Sequence, residues 1–305
     1  MSVQAERDLL RAVTLMVASA VLFGSMAVVI RLASSQLHPF EIAFFRNLFG
    51  FCFALPLLWR HGPGLLRTRK LPLYLLRCAV GVVSMLAGFW AIVNLPLAQA
   101  VSLSYSTPLF VTILAVLMLG EVVRARRWTA VIVGFIGVLV IVQPGAESFS
   151  YGSLVALSAA ALSALVAIWI KFLSRTEHPD AIVIYTSLIW IPMSLLPALF
   201  VWETPTGWTW LWIIAAGFFG TAGHMCWTRG LKLGEASLLA PISFMQLPVV
   251  AIAGYLLFDE SIGLWTIVGA AIIFSANLYI AHREARLARR AATDPEIHPE
   301  TGQPR

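Results

Sequence analysis

Ten apolar stretches, each roughly 18–23 residues long, follow one another along this chain and constrain its fold more than any other feature. A helix of about 20 residues crosses a hydrocarbon core about 30 Å thick. Lipid offers the backbone no hydrogen-bond partners, so each stretch is predicted to be a helix. The predicted spans are residues 11–33, 39–59, 72–93, 97–119, 126–143, 151–174, 179–200, 208–231, 235–257 and 262–281.

The composition supports the bilayer as the surroundings of these helices. Hydrophobic residues make up 59% of the 305 residues, and only 12% are charged, too few to cover a water-soluble globule. The predicted fold class is therefore an all-α membrane protein with ten transmembrane helices. The first span is too long, and too closely followed by others, to be a cleaved signal peptide.

The 21 Lys and Arg residues are distributed so that connections with and without basic residues alternate along the chain. Basic residues precede the first span and follow every even-numbered span, whereas five connections contain none. We call these five the basic-free connections: residues 34–38, 94–96, 144–150, 201–207 and 258–261. The positive-inside rule then predicts an inner-membrane protein with both termini in the cytoplasm. Because the net charge of +6 follows this pattern, no nucleic-acid partner is expected.

Short patterns recur at an offset of about 140 residues, which indicates an internal repeat. Residues 11–143 and 151–281 are predicted to be two five-helix repeats, between a cytoplasmic N-terminus at 1–10 and a basic, partly disordered tail at 282–305. Since five is odd, the second repeat enters the membrane from the opposite side. The recurring patterns are Ile30–Ser34 with Ile170–Ser174, His38-Pro39 with His178-Pro179, and Leu103-Ser104-Tyr105 with Ile242-Ser243-Phe244.

Inverted repeats of this kind are typical of secondary transporters, which bind solute near the bilayer midplane between the repeats. A duplicated structural protein, whose symmetry serves only packing, is the alternative.

Several motifs resemble those of the EamA-domain carriers in the drug/metabolite transporter superfamily, over both halves of the chain. The resemblance implies ten helices, ion-coupled or exchange transport of a small metabolite, and no bound cofactor. In one departure, Leu247-Pro248, similar proteins carry the proline one position earlier. The motifs are Phe44-Phe45-Arg46-Asn47, Leu95–Ala100, Leu103–Phe110, Leu119-Gly120-Glu121, Glu235–Pro241 and Leu256–Glu260.

Ionisable residues at membrane depth cost about 2.5 kcal/mol or more, so each is a candidate for function. Arg46, well inside the second span, is expected either to contact an anionic or zwitterionic substrate or to pair within the protein. Glu41 is a possible partner, although it is turned away from Arg46. His224, the only histidine inside a predicted span, is either a hydrogen-bonded core residue or a proton-coupling group. Arg77 is expected to reach the headgroups.

A substrate cavity is predicted around the fourth and ninth spans, where Pro108 and Pro248 interrupt the helices and free backbone carbonyls. Trp90 and Trp227 either form cavity walls or anchor span ends at the interface. The other candidate lining residues are Ser104, Tyr105, Thr107, Ser243 and Gln246.

Charged residues at the span ends are candidates for gating or for tying helices together. Arg31 is expected to pair with Glu41 or Glu260. Glu121 and Glu260 end the fourth and ninth spans at opposite faces, and each is expected to hold a helix end rather than carry protons.

The sequence favours a secondary transporter that moves a small organic metabolite by alternating access, with proton coupling or exchange. Amino-acid-like, nucleoside-like or similar amphipathic solutes fit such a cavity, and the lipid bilayer is the other expected partner. No Walker A, HExxH or GxSxG motif and no Cys/His cluster occurs, so no enzyme activity, metal or cofactor is expected. The alternative is a polytopic membrane enzyme or a lipid-handling protein without solute flux.

Overall fold

The computed structural model describes residues 3–61, 70–120, 125–146, 149–173, 179–233 and 239–293, and all regular elements within them are helical. A 3₁₀ helix, Ala240–Met245, precedes the tenth α-helix. The α-helices are α1 (Val3–Ala33), α2 (Pro39–His61), α3 (Leu71–Asn94), α4 (Leu97–Ser104), α5 (Thr107–Leu119), α6 (Ala125–Val142), α7 (Tyr151–Leu173), α8 (Pro179–Leu199), α9 (Thr209–Leu233), α10 (Gln246–Phe258) and α11 (Leu264–Thr293).

The surface of the bundle is apolar, as expected for contact with lipid. Leu117, Tyr255 and Leu256 are 74%, 66% and 70% exposed. Such a surface is rare on monomeric soluble proteins. These features confirm the all-α membrane class, while ten crossings stay a prediction. By length and composition, five helical segments of the described chain can cross a membrane: Leu10–Ala33, Leu71–Asn94, Leu97–Met118, Tyr151–Ile170 and Leu264–His282.

The helices differ from the predicted spans in two ways. α1 begins at Val3 and α11 continues to Thr293, because hydropathy marks the edge of the lipid while helix-forming residues continue into water. The fourth span consists of two helices, α4 and α5, and in the described part of the ninth span the 3₁₀ helix leads into α10. Both interruptions lie just before the prolines that the sequence singles out.

The packing between the two halves is matched in pairs. α1 packs on α9 and α7 on α3, while α2 packs on α9 and α8 on α3. The contact of α10 with α1 matches that of α5 with α7, and α6 and α11 pack on each other. Exchanging each helix for its counterpart in the other half therefore leaves this set of contacts unchanged.

The second helix of each broken span ends in the same way. Gly120 and Asp259 both adopt left-handed backbone conformations, with φ of 64° and 55°. Their N–H groups donate to the carbonyls of Ala115 and Gly254, respectively. A left-handed residue is a common helix terminator. The two helix ends correspond at an offset of 139 residues (259 − 120), the offset found in the sequence.

The basic-free connections lie together at one end of the bundle, which we call the basic-free end. Gln36 Nε2 donates to Thr206 Oγ1 at 3.0 Å, joining the first of these connections to the fourth. The N–H of Leu97 donates to Glu260 at 2.7 Å, joining the second to the fifth. Near the third, Gln99 donates to Ser153 on α7 at 3.2 Å. The basic-free connections follow the odd-numbered predicted spans. They would lie together in this way if all odd-numbered spans ended at the same face of the membrane.

The first turn of α2 anchors two of these connections. Glu41 Oε2 accepts a hydrogen bond from the N–H of His38 at 3.1 Å, and His38 Nδ1 accepts one from the N–H of Phe40 at 3.3 Å. With Pro39 at the first helical position, this is a capping arrangement. The other oxygen, Glu41 Oε1, accepts from the N–H of Glu203 at 2.6 Å, so this buried carboxylate also holds the α8–α9 connection.

Candidate functional site

The interruptions of the fourth and ninth spans meet inside the bundle. The ring of Tyr105, between α4 and α5, stacks on Phe244 of the 3₁₀ helix, with centroids 4.0 Å apart and planes 15° apart. Phe274 of α11 packs edge-on against Phe244 at 4.5 Å. Tyr105 and Phe244 occupy equivalent positions of the two repeats, so the repeats contact each other through the same residue position.

Hydrogen bonds hold the two interruptions together. Tyr105 Oη donates to the carbonyl of Ser243 at 2.7 Å and lies 3.4 Å from Gln246 Oε1. The carbonyl of Tyr105, which the break removes from the helical ladder, accepts from Asn277 Nδ2 of α11 at 2.8 Å. The freed backbone group is therefore satisfied by a side chain from a neighbouring helix.

A cavity of about 300 Å³ lies beside these breaks, between α3, α4, α7 and α8. This volume is at the lower end of the range for small-molecule sites, about 300–1,000 Å³. Met85, Phe89 and Val101 are among its apolar lining residues. Its polar lining consists of Ser84, Ser104, Thr107, Ser163, Trp190 and Gln246.

Most hydroxyls of this cavity donate their hydrogen to a protein group, so the lone pairs of their oxygens remain as acceptors for a ligand. Ser104 Oγ donates to the carbonyl of Val101, and Thr107 Oγ1 donates to the carbonyl of Ser104. The buried Nε1 of Trp190 has no hydrogen-bond partner within the described chain. The cavity thus combines apolar walls with a small number of neutral hydrogen-bonding groups, as ligand sites commonly do.

Arg46 lies on α2 with its guanidinium against α9. A Cβ at Gly220 would stand 2.8 Å from Nη2 and 2.9 Å from Nε, so a side chain here would displace the guanidinium. Nη1 donates to Asn47 Oδ1 at 3.1 Å, and Nε has no partner in the described residues. Within the described residues, no carboxylate pairs with Arg46. Glu41, the partner that the sequence suggests for it, accepts hydrogen bonds from backbone N–H groups instead.

His224 lies one turn after Gly220 on the same face of α9. Its ring meets Phe23 of α1 edge-on, with centroids 5.1 Å apart. The imidazole is exposed although protein surrounds it on most sides, as expected for a residue that borders an open space within the bundle. The charge of Arg46 acts on this ring, so these two candidate substrate-binding residues lie in the same region of the bundle.

Arg31 joins three segments at the basic-free end. Its Nη2 forms an ion pair with Glu260 Oε1 at 2.6 Å, and Nη1 donates to the carbonyls of Ile92 and Leu95. Glu260 Oε2 in turn accepts from the N–H of Leu97. Of the two carboxylates that the sequence leaves open for Arg31, the partner is Glu260.

The remaining predicted residues lie away from the cavity or outside the described chain. Trp90 borders a groove at the basic-free end, and Trp227 packs on α1 near Ala12 and Met16. Neither tryptophan lines the central cavity. Glu121 lies outside the described residues.

The expectation for Arg77 is wrong. The side chain is only 5% exposed, and Nη1 donates to Thr186 Oγ1 of α8 instead of reaching the headgroups.

Sequence reasoning missed several polar residues of this region. Asn277 binds the freed carbonyl, Ser84 and Ser163 bond each other at 2.7 Å, and Trp190 lines the cavity. Each is a polar or amphipathic residue in a strongly apolar helix, and that is the signal that identifies them.

Comparison with known proteins gives consistent matches over most of the chain. The profile of the EamA-like transporter family matches twice, at residues 10–143 and 150–281. A riboflavin transporter of Vibrio cholerae is 34% identical over 229 residues, 74% of this chain and 76% of that protein. An S-adenosylmethionine uptake transporter of Rickettsia felis is 31% identical over 256 residues, 84% of this chain and 87% of that one.

Two further matches extend over nearly the whole chain. A pseudopaline exporter of Pseudomonas aeruginosa is 30% identical over 285 residues, 90% of this chain and 97% of that protein. One crystal structure matches with a TM-score of 0.60 at 20% identity, covering 90% of this chain and 99% of the other. At 20% identity, the structural match shows a shared fold and nothing about function.

Proposed function

Because the chain belongs to the EamA-like transporter family, we propose that it is a secondary transporter working by alternating access. Family membership and the named relatives make it a multi-pass small-molecule transporter of the inner membrane. The proposal adds the mechanism and the site: a small organic metabolite binds in the central cavity beside the two interrupted spans.

The observation that carries this proposal is the meeting of the two breaks beside the cavity. Broken helices near the midplane, related by an internal repeat, are a common way for transporters to build a solute site. Here Tyr105 and Phe244 join the breaks, and Ser104, Thr107 and Gln246 border the adjoining cavity. Neutral donors and acceptors among apolar walls suit an amphipathic, ring-containing solute such as an amino-acid-like or nucleoside-like metabolite.

We further propose ten crossings in two inverted five-helix repeats, with both termini in the cytoplasm. The grouping of the basic-free connections at one end supports this topology, because the positive-inside rule assigns that end to the outer face. The matched packing of the two halves also supports it.

The polar contacts at the basic-free end support a conformation in which the outer side is closed. Arg31, Glu41 and Leu97 of the first repeat bind Glu260 and the N–H of Glu203 in the second. Opening this end requires these contacts to break. Alternating access then consists of making and breaking them as solute binds and leaves.

Flux into proteoliposomes tests the proposal. The purified protein is reconstituted and challenged with labelled riboflavin, S-adenosylmethionine and a panel of amino acids and nucleosides, with and without a proton gradient. We expect saturable uptake or counterflow of at least one solute, and loss of most of that flux in Gln246→Ala. Ser275→Ala is the matched control, because Ser275 is exposed on α11 and bonds only its own helix. Formation of a product without flux would favour the membrane-enzyme alternative.

A further inference from the structure

The charges of the chain are distributed so that Arg46 has no counter-charge at its depth in the membrane. All fifteen Asp and Glu residues lie at span ends or outside the spans, and none occurs between residues 42 and 120. In the described structure, the four carboxylates of Glu41, Glu203, Asp259 and Glu260 lie at the basic-free end. In the described chain, Arg46 therefore has the side-chain amide of Asn47 as its hydrogen-bond partner and no carboxylate.

An ionised guanidinium is costly to bury without an anion, and the cost falls when an oxyanion binds it. Nε of Arg46 is a buried donor without a partner in the described residues, and its geometry suits the two-oxygen contacts that arginine makes with carboxylate and phosphate. His224, its electrostatic neighbour, also lacks a hydrogen bond from its ring within the described chain and faces open space. Among the described residues, those that contact Arg46 and His224 are cationic or neutral.

The guanidinium of Arg46 and the side chain of Gln246 both lie near α1. Met26 of α1 lies 3.0 Å from the Cβ position of Gly220, the residue that covers the guanidinium. Gln246, which lines the cavity, lies 3.6 Å from the Cβ position of Gly24 on the same helix. Gly24 and Met26 are two residues apart, about 3 Å along the axis of α1 and on different faces of that helix, so the cationic groups and Gln246 lie at a similar depth against the same helix.

We propose that the transported solute carries an oxyanion, a carboxylate or a phosphate, which Arg46 binds on the transport path. This inference rests on the proposed transport function and specifies its substrate class. His224 lies beside Arg46, on the side where the oxyanion would bind.

Matched pairs of solutes test the inference by binding. Each pair shares one ring system and differs in one charged group: flavin mononucleotide with riboflavin, and indole-3-acetate with indole-3-acetamide, extended to a panel of acids and their amides. Melting-temperature shifts of the purified protein report binding, since a ligand of the folded state stabilises it. We expect an acid to bind about tenfold or more tightly than its neutral partner, and Arg46→Gln to abolish this preference.

Arg77→Gln is the matched control, because it removes another buried arginine from a different part of the bundle and should leave the preference intact. If Arg46→Gln does not fold, Arg46→Lys should retain a weakened preference for acids, and Gly220→Ala should lose it by displacing the guanidinium. The inference is overturned if neutral partners bind as well as acids, if the preference survives Arg46→Gln, or if no acid binds. Binding of acids without flux in liposomes would instead contradict the transport function.

Discussion

Arg31 and Glu260 are separated by 229 residues in the sequence, yet their side chains form an ion pair at 2.6 Å. One residue comes from each repeat, and both are mostly buried, with 20% and 15% of the side chain exposed. Removing one member of a buried pair leaves an uncompensated charge and is strongly destabilising. This contact therefore holds the two repeats together at the basic-free end.

Glu260→Gln should loosen the basic-free end without removing the acceptor for the N–H of Leu97. The measurement is labelling of a cysteine at position 104, which lines the cavity, by an impermeant maleimide applied from the outer side. The background carries Ser in place of the three native cysteines. We expect labelling to rise several-fold because the ion pair no longer holds the end closed.

Ser261→Ala is the control for this experiment, because Ser261 neighbours Glu260 but is exposed. Arg31→Gln should give the same increase, and the double variant should not exceed either single one, as expected for residues that act as one unit. Unchanged labelling in both single variants would show that the pair has no part in closing this end.

Gly217→Ala should destabilise the protein because α2 and α9 pack too closely at this point for a side chain. The new Cβ would lie 2.6 Å from Phe49 Cβ and 2.8 Å from the backbone nitrogen of Gly50, and backbone cannot yield easily. Overpacking of this kind costs about 1–3 kcal/mol. The apparent melting temperature in detergent should fall, whereas Gly263→Ala, at an exposed position with no atom closer than 3.7 Å, should leave it unchanged.

Tyr105→Phe should lower stability modestly while keeping the aromatic stack on Phe244. The substitution removes the hydroxyl that donates to the carbonyl of Ser243, a contact expected to contribute about 0.5–1.5 kcal/mol. Thermal melting of the purified protein measures the change. Tyr255→Phe, on the exposed surface of α10, is the control, and an equal loss there would argue that the Tyr105 hydrogen bond contributes nothing specific.

Fusions to the C-terminus test the proposed orientation. If both termini are cytoplasmic, a green fluorescent protein fused after Arg305 should fluoresce and alkaline phosphatase fused there should be inactive. The same reporters placed after Ala146, in the third basic-free connection, should give the opposite result. Active phosphatase at the C-terminus would reverse the proposed topology.

His224→Ala should flatten the pH dependence of transport if His224 carries the coupling proton. Ionisable residues inside membrane spans commonly serve proton pathways, and His224 borders an open space beside Arg46. Initial rates in proteoliposomes between about pH 5 and 8 give the profile. An unaltered profile would assign coupling elsewhere or favour exchange, and Thr228→Ala, one turn further along α9, controls for local packing.

Hydropathy and charge alone predict most of the helices, because both reflect the position of each residue along the membrane normal. The repeat offset then predicts that Tyr105 and Phe244 are equivalent, and the prolines predict where their spans break. Helix ends are less accurate, as α1 and α11 show, because a helix continues in water after the apolar sequence has stopped.

The partners of charged residues are harder to predict because they depend on how the two repeats pack. The sequence allows Arg31 to pair with Glu41 or Glu260, and it suggests that Arg77 reaches the headgroups. Only the packing of α3 on α8 shows Arg77 beside Thr186, and only the capping turn of α2 shows that Glu41 is already occupied. Asn277 likewise acquires a role only from the carbonyl that the break at Tyr105 releases.

The stacking of Tyr105 on Phe244 has a mechanical consequence. A contact between equivalent residues lies on the axis that relates the two repeats, and a motion that exchanges their roles maps this contact onto itself. Points on such an axis move least when the repeats tilt against each other. Under the proposed alternating access, the two rings can therefore act as the fulcrum of the tilt, while Arg31 and Glu260 at the basic-free end move apart.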